Sequence, residues 1–108
     1  MSDVFKAIAD QTRREILLTL VKKPESVNAI SEKFSMSRPA VSKHIKVLTE
    51  SNLIRIEQDE VDSRQRNCYA QLEALSEVNQ FLDELGKFWE SKLDGLGKYL
   101  TSKQQKDR

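Results

Sequence analysis

The sequence predicts a mainly α-helical domain carrying one small β-hairpin, and three observations lead there. Residues Ser26 to Ile56 read as two short amphipathic helices joined by a tight turn and followed by a strand. Residues 53–72 read as two short strands around a polar, turn-forming segment. From about Leu75 to Leu100, apolar residues recur at helical spacing. In chain order this is helix, helix, helix-turn-helix, hairpin and long helix. That order describes a winged helix-turn-helix with a two-stranded β-wing and a long C-terminal dimerisation helix.

Length and composition bound the rest. At 108 residues and 12.5 kDa the chain fits one domain, residues 1–100, with a disordered polar tail at 101–108. A hydrophobic fraction of 38% beside 32% charged residues leaves a modest core, a condition that dimerisation relieves by burying further apolar area. Eighteen basic residues against 17 acidic ones give a net charge of +1. Any affinity for nucleic acid must therefore come from a local patch. One cysteine excludes an intrachain disulfide and suits a reducing cytoplasm. With no apolar leader and no stretch long enough to span a bilayer, neither secretion nor membrane insertion is expected.

The first helix occupies part of Met1 to Ala9, with Asp3 as N-cap and Val4, Phe5, Ile8 and Ala9 as its apolar face. Asp10-Gln11-Thr12 interrupts it. A second helix from about Thr12 to Lys23 aligns Ile16, Leu17, Leu20 and Val21, carries Lys22 and Lys23 in its last turn, and stops at Pro24.

Ser26 then caps a third helix with Val27, Ile30 and Phe34 at helical spacing. Ser35-Met36-Ser37 breaks the pattern without the glycine often found in such a turn. Ser37 caps a fourth helix whose first turn holds Arg38 and Pro39, where the missing proline N–H costs nothing. Val41, Ile45 and Leu48 share its inner face. The opposite face carries Lys43 and Lys46, flanked by Arg38 and Ser42, with His44 at the border. An apolar inner face and a cationic, hydroxyl-bearing outer face suit a helix that reads DNA, although a solvated basic face has the same composition.

Leu53 to Glu57 reads as a strand, Gln58 to Gln65 as a turn, and Arg66 to Leu72 as the return strand. Arg64 and Arg66 are placed to lie along a phosphate backbone or in a minor groove. Glu57, Asp59, Glu60 and Asp62 make the same tip acidic, so internal pairing is the competing reading. In the last helix Leu75, Val78, Leu82, Leu85 and Trp89 step by 3, 4, 3 and 4 residues. After a one-residue slip the stripe continues through Leu93, Leu96 and Leu100, and Phe81 and Phe88 widen it. So broad a stripe predicts a homodimer formed through residues 3–10 and 75–100, with Phe5 and Ile8 contributing from the first helix, the competing reading being a helix folded back onto its own domain. Gly86, Gly95 and Gly97 weaken this helix, each by up to ~1 kcal/mol relative to alanine.

Several stretches resemble the ArsR-type winged-helix transcriptional repressors: VFKAIADQTRREIL at 4–17, MSRPAVSKHIKVLTESNLI at 36–54 and RQRNCYAQL at 64–72. The resemblance covers roughly residues 4–75, and SRPAVSKHIKVL is its most specific part. FWESKLDGLGKYL, from Phe88, is similar to a branch with an extended C-terminal helix and no metal site. Gln11 stands where the family usually has proline. The resemblance implies a symmetric homodimer that binds double-stranded DNA at an imperfect palindromic operator and blocks transcription. It places Ser37, Arg38, Ser42 and His44 near bases, and Lys43 and Lys46 near phosphates. Arginine suits guanine O6 and N7, and Ser26 with Asn28 stands at a helix N-terminus able to hold a phosphate.

Metal-sensing members carry Cys-x-Cys at the start of the third helix, where this chain has Ser26 and Asn28. One cysteine and one histidine do not build a metal site within a protomer, so no metal response is expected. Cys68 beside Tyr69 reads as an unreactive strand residue rather than a redox thiol. No nucleophile–base pairing and no phosphate loop point to an enzyme, and no cofactor is implied. Two rivals remain: a winged-helix interaction module without DNA binding, and a regulator gated by a ligand or by thiol oxidation. The sequence does not identify an effector.

Overall fold

The computed structural model describes residues 3–92, which fall into two compact units divided after Ser76. The N-terminal unit holds α1 (Val4–Ile8), α2 (Gln11–Lys22), β1 (Glu25–Ser26), α3 (Val27–Phe34), α4 (Arg38–Glu50), β2 (Ile54–Gln58) and β3 (Arg66–Ala70). A 3-10 turn at Leu72–Leu75 leads to α5 (Ser76–Lys92), whose residues from Glu77 on make up the described part of the second unit. No helix of the described residues is long and apolar enough to cross a membrane.

At five residues α1 is too short to persist alone, because helix nucleation costs more than one turn returns. Its two ends are held by side chains. Asp3 accepts from Phe5 N at 2.8 Å at the N-terminus. At the C-terminus Arg13 donates to the Lys6 and Ala7 carbonyls at 3.2 and 2.8 Å. Arg14 donates to those of Ile8 and Ala9 at 2.9 and 3.1 Å. The helix end leaves carbonyls such as these short of internal partners, and here, among the described residues, only that of Lys6 also accepts a backbone N–H, from Ala9 at 3.2 Å. The second helix begins at Gln11, one residue earlier than the periodicity suggests, because Asp10 caps it by accepting from Arg13 N at 3.0 Å.

Ser26 and Ser37 cap α3 and α4 by accepting from Ala29 N and Ala40 N at 3.1 and 3.3 Å. The turn between these helices needs a left-handed residue, and Ser35 supplies it with φ 51° and ψ 42°. The Ser31 hydroxyl donates to the Met36 carbonyl at 2.5 Å, and Met36 N returns to the Ser31 carbonyl at 3.1 Å. These bonds offset a strain of roughly 1–2 kcal/mol for a non-glycine in this region. At the exit of α4 Asn52 takes φ 64°, and Leu53 N bonds the Leu48 carbonyl at 2.9 Å.

The core of this unit gathers Ile16, Leu17 and Leu20 from α2, Ile30 from α3, and Val41, Ile45 and Leu48 from α4. Leu53, Ile54 and Cys68 close it from the sheet side. The predicted hairpin forms with Ile54 opposite Ala70, Ile56 opposite Cys68 and Gln58 opposite Arg66. A third strand joins it, giving the antiparallel order β1-β3-β2 with Glu25 opposite Cys68 and Ser26 opposite Asn67. Two residues after a proline carry no alternation, so β1 has no signature in sequence. Cys68 lies against both neighbours in the central strand and is fully buried.

In α5 the predicted stripe is largely exposed, with Leu82 at 54%, Leu85 at 48% and Trp89 at 63%. Val78 is half-buried. Leu93, Leu96, Leu100 and the tail at 101–108 lie outside the described residues.

Candidate nucleic-acid interface

The outer face of α4 follows from its inner one. Burial of Val41, Ile45 and Leu48 turns Arg38, Ser42, Lys43 and Lys46 outward, and all four are exposed. Among the described residues none of these three cations lies within ion-pair distance of a carboxylate. Ser37 is exposed at the helix start. Its hydroxyl oxygen serves the cap while its proton remains free to donate.

His44 behaves differently. It is half-buried, and its Nδ1 lies 3.2 Å from Arg13 Nη1, so one edge of the ring is engaged inside the protein.

The wing turn uses its acidic residues to build itself. Asp59 accepts from the backbone N–H groups of Val61 and Asp62 at 3.0 and 2.9 Å, and from Asn67 Nδ2 at 3.1 Å. These bonds, the Asp62 N–H first among them, hold the Asp59 carboxyl below its usual range. Asp62 accepts from Arg64 N at 3.0 Å. Glu57 pairs with Arg55, whose guanidinium also stacks 4.6 Å above the Tyr69 ring. Internal pairing therefore accounts for Arg55 and Glu57. It does not reach Arg64 and Arg66, whose guanidinium groups have no partner among the described residues.

An open cleft of about 400 Å³ lies where the wing faces the helix-turn-helix, lined by Ser26, Asn28, Arg38, Arg64, Arg66 and Asp62, among others. Three guanidinium groups thus border one concavity against a single carboxylate, beside the N-terminus of α3. Backbone N–H groups and the helix dipole reinforce the positive sign there. The position of this cleft is fixed by β1, because its Glu25 and Ser26 pair with the wing strand while Ser26 caps α3. A shallower apolar crease of about 370 Å³ continues between α4 and the wing, past Ile45, Lys46 and Ile56.

The structure thus brings Ser26, Arg38, Arg64 and Arg66 together at one cleft and Ser42, Lys46 and Arg66 at the adjoining crease, while Ser37 and Lys43 are exposed at the start and on the outer face of α4. Sequence reasoning missed Arg13 as the partner of His44. Its only sign was an arginine pair at the start of α2, which reads as ordinary surface charge. Of the residues expected at a dimer contact, Phe5 and Ile8 are half-buried in α1, while Leu82, Leu85 and Trp89 are exposed on α5.

Burial pushes the Cys68 thiol up to about 11, so it stays protonated at neutral pH. Among the described residues no group of three His, Cys, Asp or Glu side chains is arranged to hold a metal.

A family model described as bacterial regulatory protein, arsR family, matches residues 10–55. The chain is similar to the transcriptional repressor SdpR of Bacillus subtilis, with 41% identity over 54 residues covering 50% of this chain and 60% of that repressor. It is also similar to the HTH-type transcriptional regulator Rv2034 of Mycobacterium tuberculosis, with 32% identity over 98 residues, 91% of this chain and 86% of that one. Among solved structures, an ArsR family transcriptional regulator superposes with a TM-score of 0.70 at 36% identity, covering 81% of this chain and 87% of the other.

Proposed function

The chain belongs to the arsR family of bacterial regulatory proteins and is a DNA-binding transcriptional regulator; on that premise we propose that it is a homodimeric repressor that occludes a palindromic operator and does not respond to metal. The observation that carries this reading is the meeting of Arg38, Arg64 and Arg66 at one cleft beside the α3 N-terminus. A duplex backbone passing that cleft meets guanidinium groups and amide N–H groups, while α4 lies along the adjoining major groove.

Roles follow from chemistry and position. Arg38, at the exposed start of α4, is suited to guanine O6 and N7. Ser37 and Ser42 offer hydroxyls to bases, and Lys43 and Lys46 offer charge to phosphates. Ser26, Arg64 and Arg66 hold the flanking backbone. A net charge of +1 makes this local patch the source of affinity, so binding weakens steeply with salt. Two such faces related by a two-fold axis reach successive major grooves about 34 Å apart, which requires a palindrome. The exposed Leu82, Leu85 and Trp89 supply apolar surface for that two-fold contact.

Repression agrees with the named activity of SdpR. Independence from metal is supported by hydroxyl and amide side chains at Ser26 and Asn28, by the burial of Cys68, and by the engagement of His44 with Arg13.

Selection of binding sites from random duplexes, run with purified full-length protein at two salt concentrations, tests the homodimer and its palindromic operator. An enriched palindrome with steep salt dependence is the expected result. Enrichment of a single half-site without symmetry would overturn the homodimer, and no enrichment would overturn sequence-specific repression.

A further inference from the structure

We propose that Arg13 is a positioning residue for His44, holding its imidazole as the Nε2–H tautomer so that α4 presents a hydrogen-bond donor at this position and not an acceptor. Arg13 lies on α2, outside the helix-turn-helix, and its side chain is 17% exposed. Its guanidinium is fixed from three sides. Nε donates to the Ala7 carbonyl at 2.8 Å, Nη2 to the Lys6 carbonyl at 3.2 Å, and Nη1 faces His44 Nδ1 at 3.2 Å. The Asp10 carboxylate, 4.0 Å from the same Nη1, is the other charged group beside this contact.

A guanidinium carries five N–H donors and no acceptor. The nitrogen facing it must therefore be the one with the lone pair. A neutral imidazole with its lone pair on Nδ1 carries its proton on Nε2, so the tautomer follows from the partner's chemistry. Because the guanidinium is anchored to α1 carbonyls, it does not swing away to admit the other tautomer. His44 Nε2 has no partner among the described residues, which leaves its N–H as a donor on a half-buried side chain of α4.

What that donor meets rests on the operator-binding reading. In the major groove it pairs with guanine N7 or O6, thymine O4 or adenine N7. It is mismatched to the amino groups of cytosine and adenine. Arg13, which need not touch DNA, thereby becomes a determinant of base preference.

His44 is the only histidine in the chain, so the ring nitrogens of the full-length protein give one unambiguous set of NMR signals. With imidazole-labelled protein at pH 8, the wild type should show the Nε2–H form alone. Arg13→Gln should move toward the mixture of an unconstrained imidazole, and Arg13→Lys, which keeps a donor-only group, should restore part of the bias. An Nδ1–H ring in the wild type overturns the proposal even where a variant fails to fold. So do identical spectra for wild type and a folded Arg13→Gln protein.

Site selection with the same proteins supplies the second arm. Arg13→Gln and His44→Asn should each lower preference at the same base pair of the site by about 3- to 10-fold, leaving other positions unmoved. Unchanged preference in both variants overturns the donor contact. A wild type that selects no site would overturn the operator reading and with it the donor's target, while the ring spectra still decide whether Arg13 holds the tautomer.

Discussion

Glu25, only 9% exposed, accepts a hydrogen bond from Lys33 Nζ at 2.8 Å, and this bond ties the edge strand β1 to the last turn of α3. Lys23 approaches the same oxygen at 3.7 Å. The Lys33 bond is the main reason the Glu25 carboxyl is held below its usual range, outweighing the opposing effect of burial. Both lysines remain largely solvated, so the pair avoids most of the desolvation cost of a buried bridge.

Glu25→Gln should lower stability at pH 7 by about 1–2 kcal/mol, the scale of a charge-assisted hydrogen bond. Because the folded carboxyl is the more acidic one, its contribution is complete above the unfolded value of about 4.3 and is lost as pH falls through the folded value. Urea midpoints of the two proteins should therefore differ at pH 7 and converge at lower pH. A gap that stays constant down to pH 3 would show that charge is not its source.

Ser37 combines a cap with an exposed hydroxyl, and substitution separates the two. Ser37→Ala should cost about 1 kcal/mol by leaving a helix N–H unmatched. Ser37→Asp should keep the cap yet weaken DNA binding, because a carboxylate then faces a phosphate. Thermal unfolding and a binding titration on the same samples check this. An aspartate variant that binds as tightly as wild type removes Ser37 from the interface.

Lys46→Ala and Arg66→Ala should each reduce the slope of log affinity against log salt by about 1, with base preference unaltered. Arg38→Ala should instead relax preference at one position at a cost of about 1–3 kcal/mol. If Lys46→Ala changes neither slope nor affinity, the outer face of α4 is misassigned.

On α5, Leu82→Glu places a charge in an apolar stripe while leaving helix propensity nearly unchanged. Sedimentation equilibrium should show the wild type as a dimer and this variant shifted toward monomer. An unchanged mass would move the two-fold contact elsewhere.

Cys68 should be inert in the folded state. With its thiol near 11, about one molecule in ten thousand is thiolate at pH 7, and the sheet excludes reagent. Thiol labelling should be slow in buffer and fast in denaturant. DNA affinity after mild peroxide should be equal for wild type and Cys68→Ser. A loss confined to the wild type would establish a redox switch.

The helices were legible because their determinants are local. Asp3, Ser26 and Ser37 announce caps, and Val41, Ile45 and Leu48 repeat on one face, so the inner and outer sides of α4 follow without coordinates. The hairpin was legible from β-branched residues around a polar turn. Helix starts were less so. Asp10 looked like part of a break because a capping aspartate and a turn aspartate are the same residue until the N–H it accepts from is known. Ser35 adopts a left-handed conformation that sequence assigns to glycine, since the bonds that permit it come from Ser31 and Met36. The acidic wing tip left internal pairing open in sequence, and Asp59 is engaged by two backbone N–H groups of its own turn and by the Asn67 amide of β3.

The sequence by itself determined the order of the helices and the hairpin, the family, and which side chains of α4 face outward, because periodicity and caps act over three or four residues. Only the tertiary structure decided what those side chains do together. Arg38 is 26 residues from Arg64, and Arg13 is 31 from His44, so neither relationship has a spacing to betray it. Both arise where the sheet brings the wing to the α3 N-terminus, and where α1 and α2 pack against α4. Contacts of that kind depend on chain closure over long separations, which no local pattern encodes.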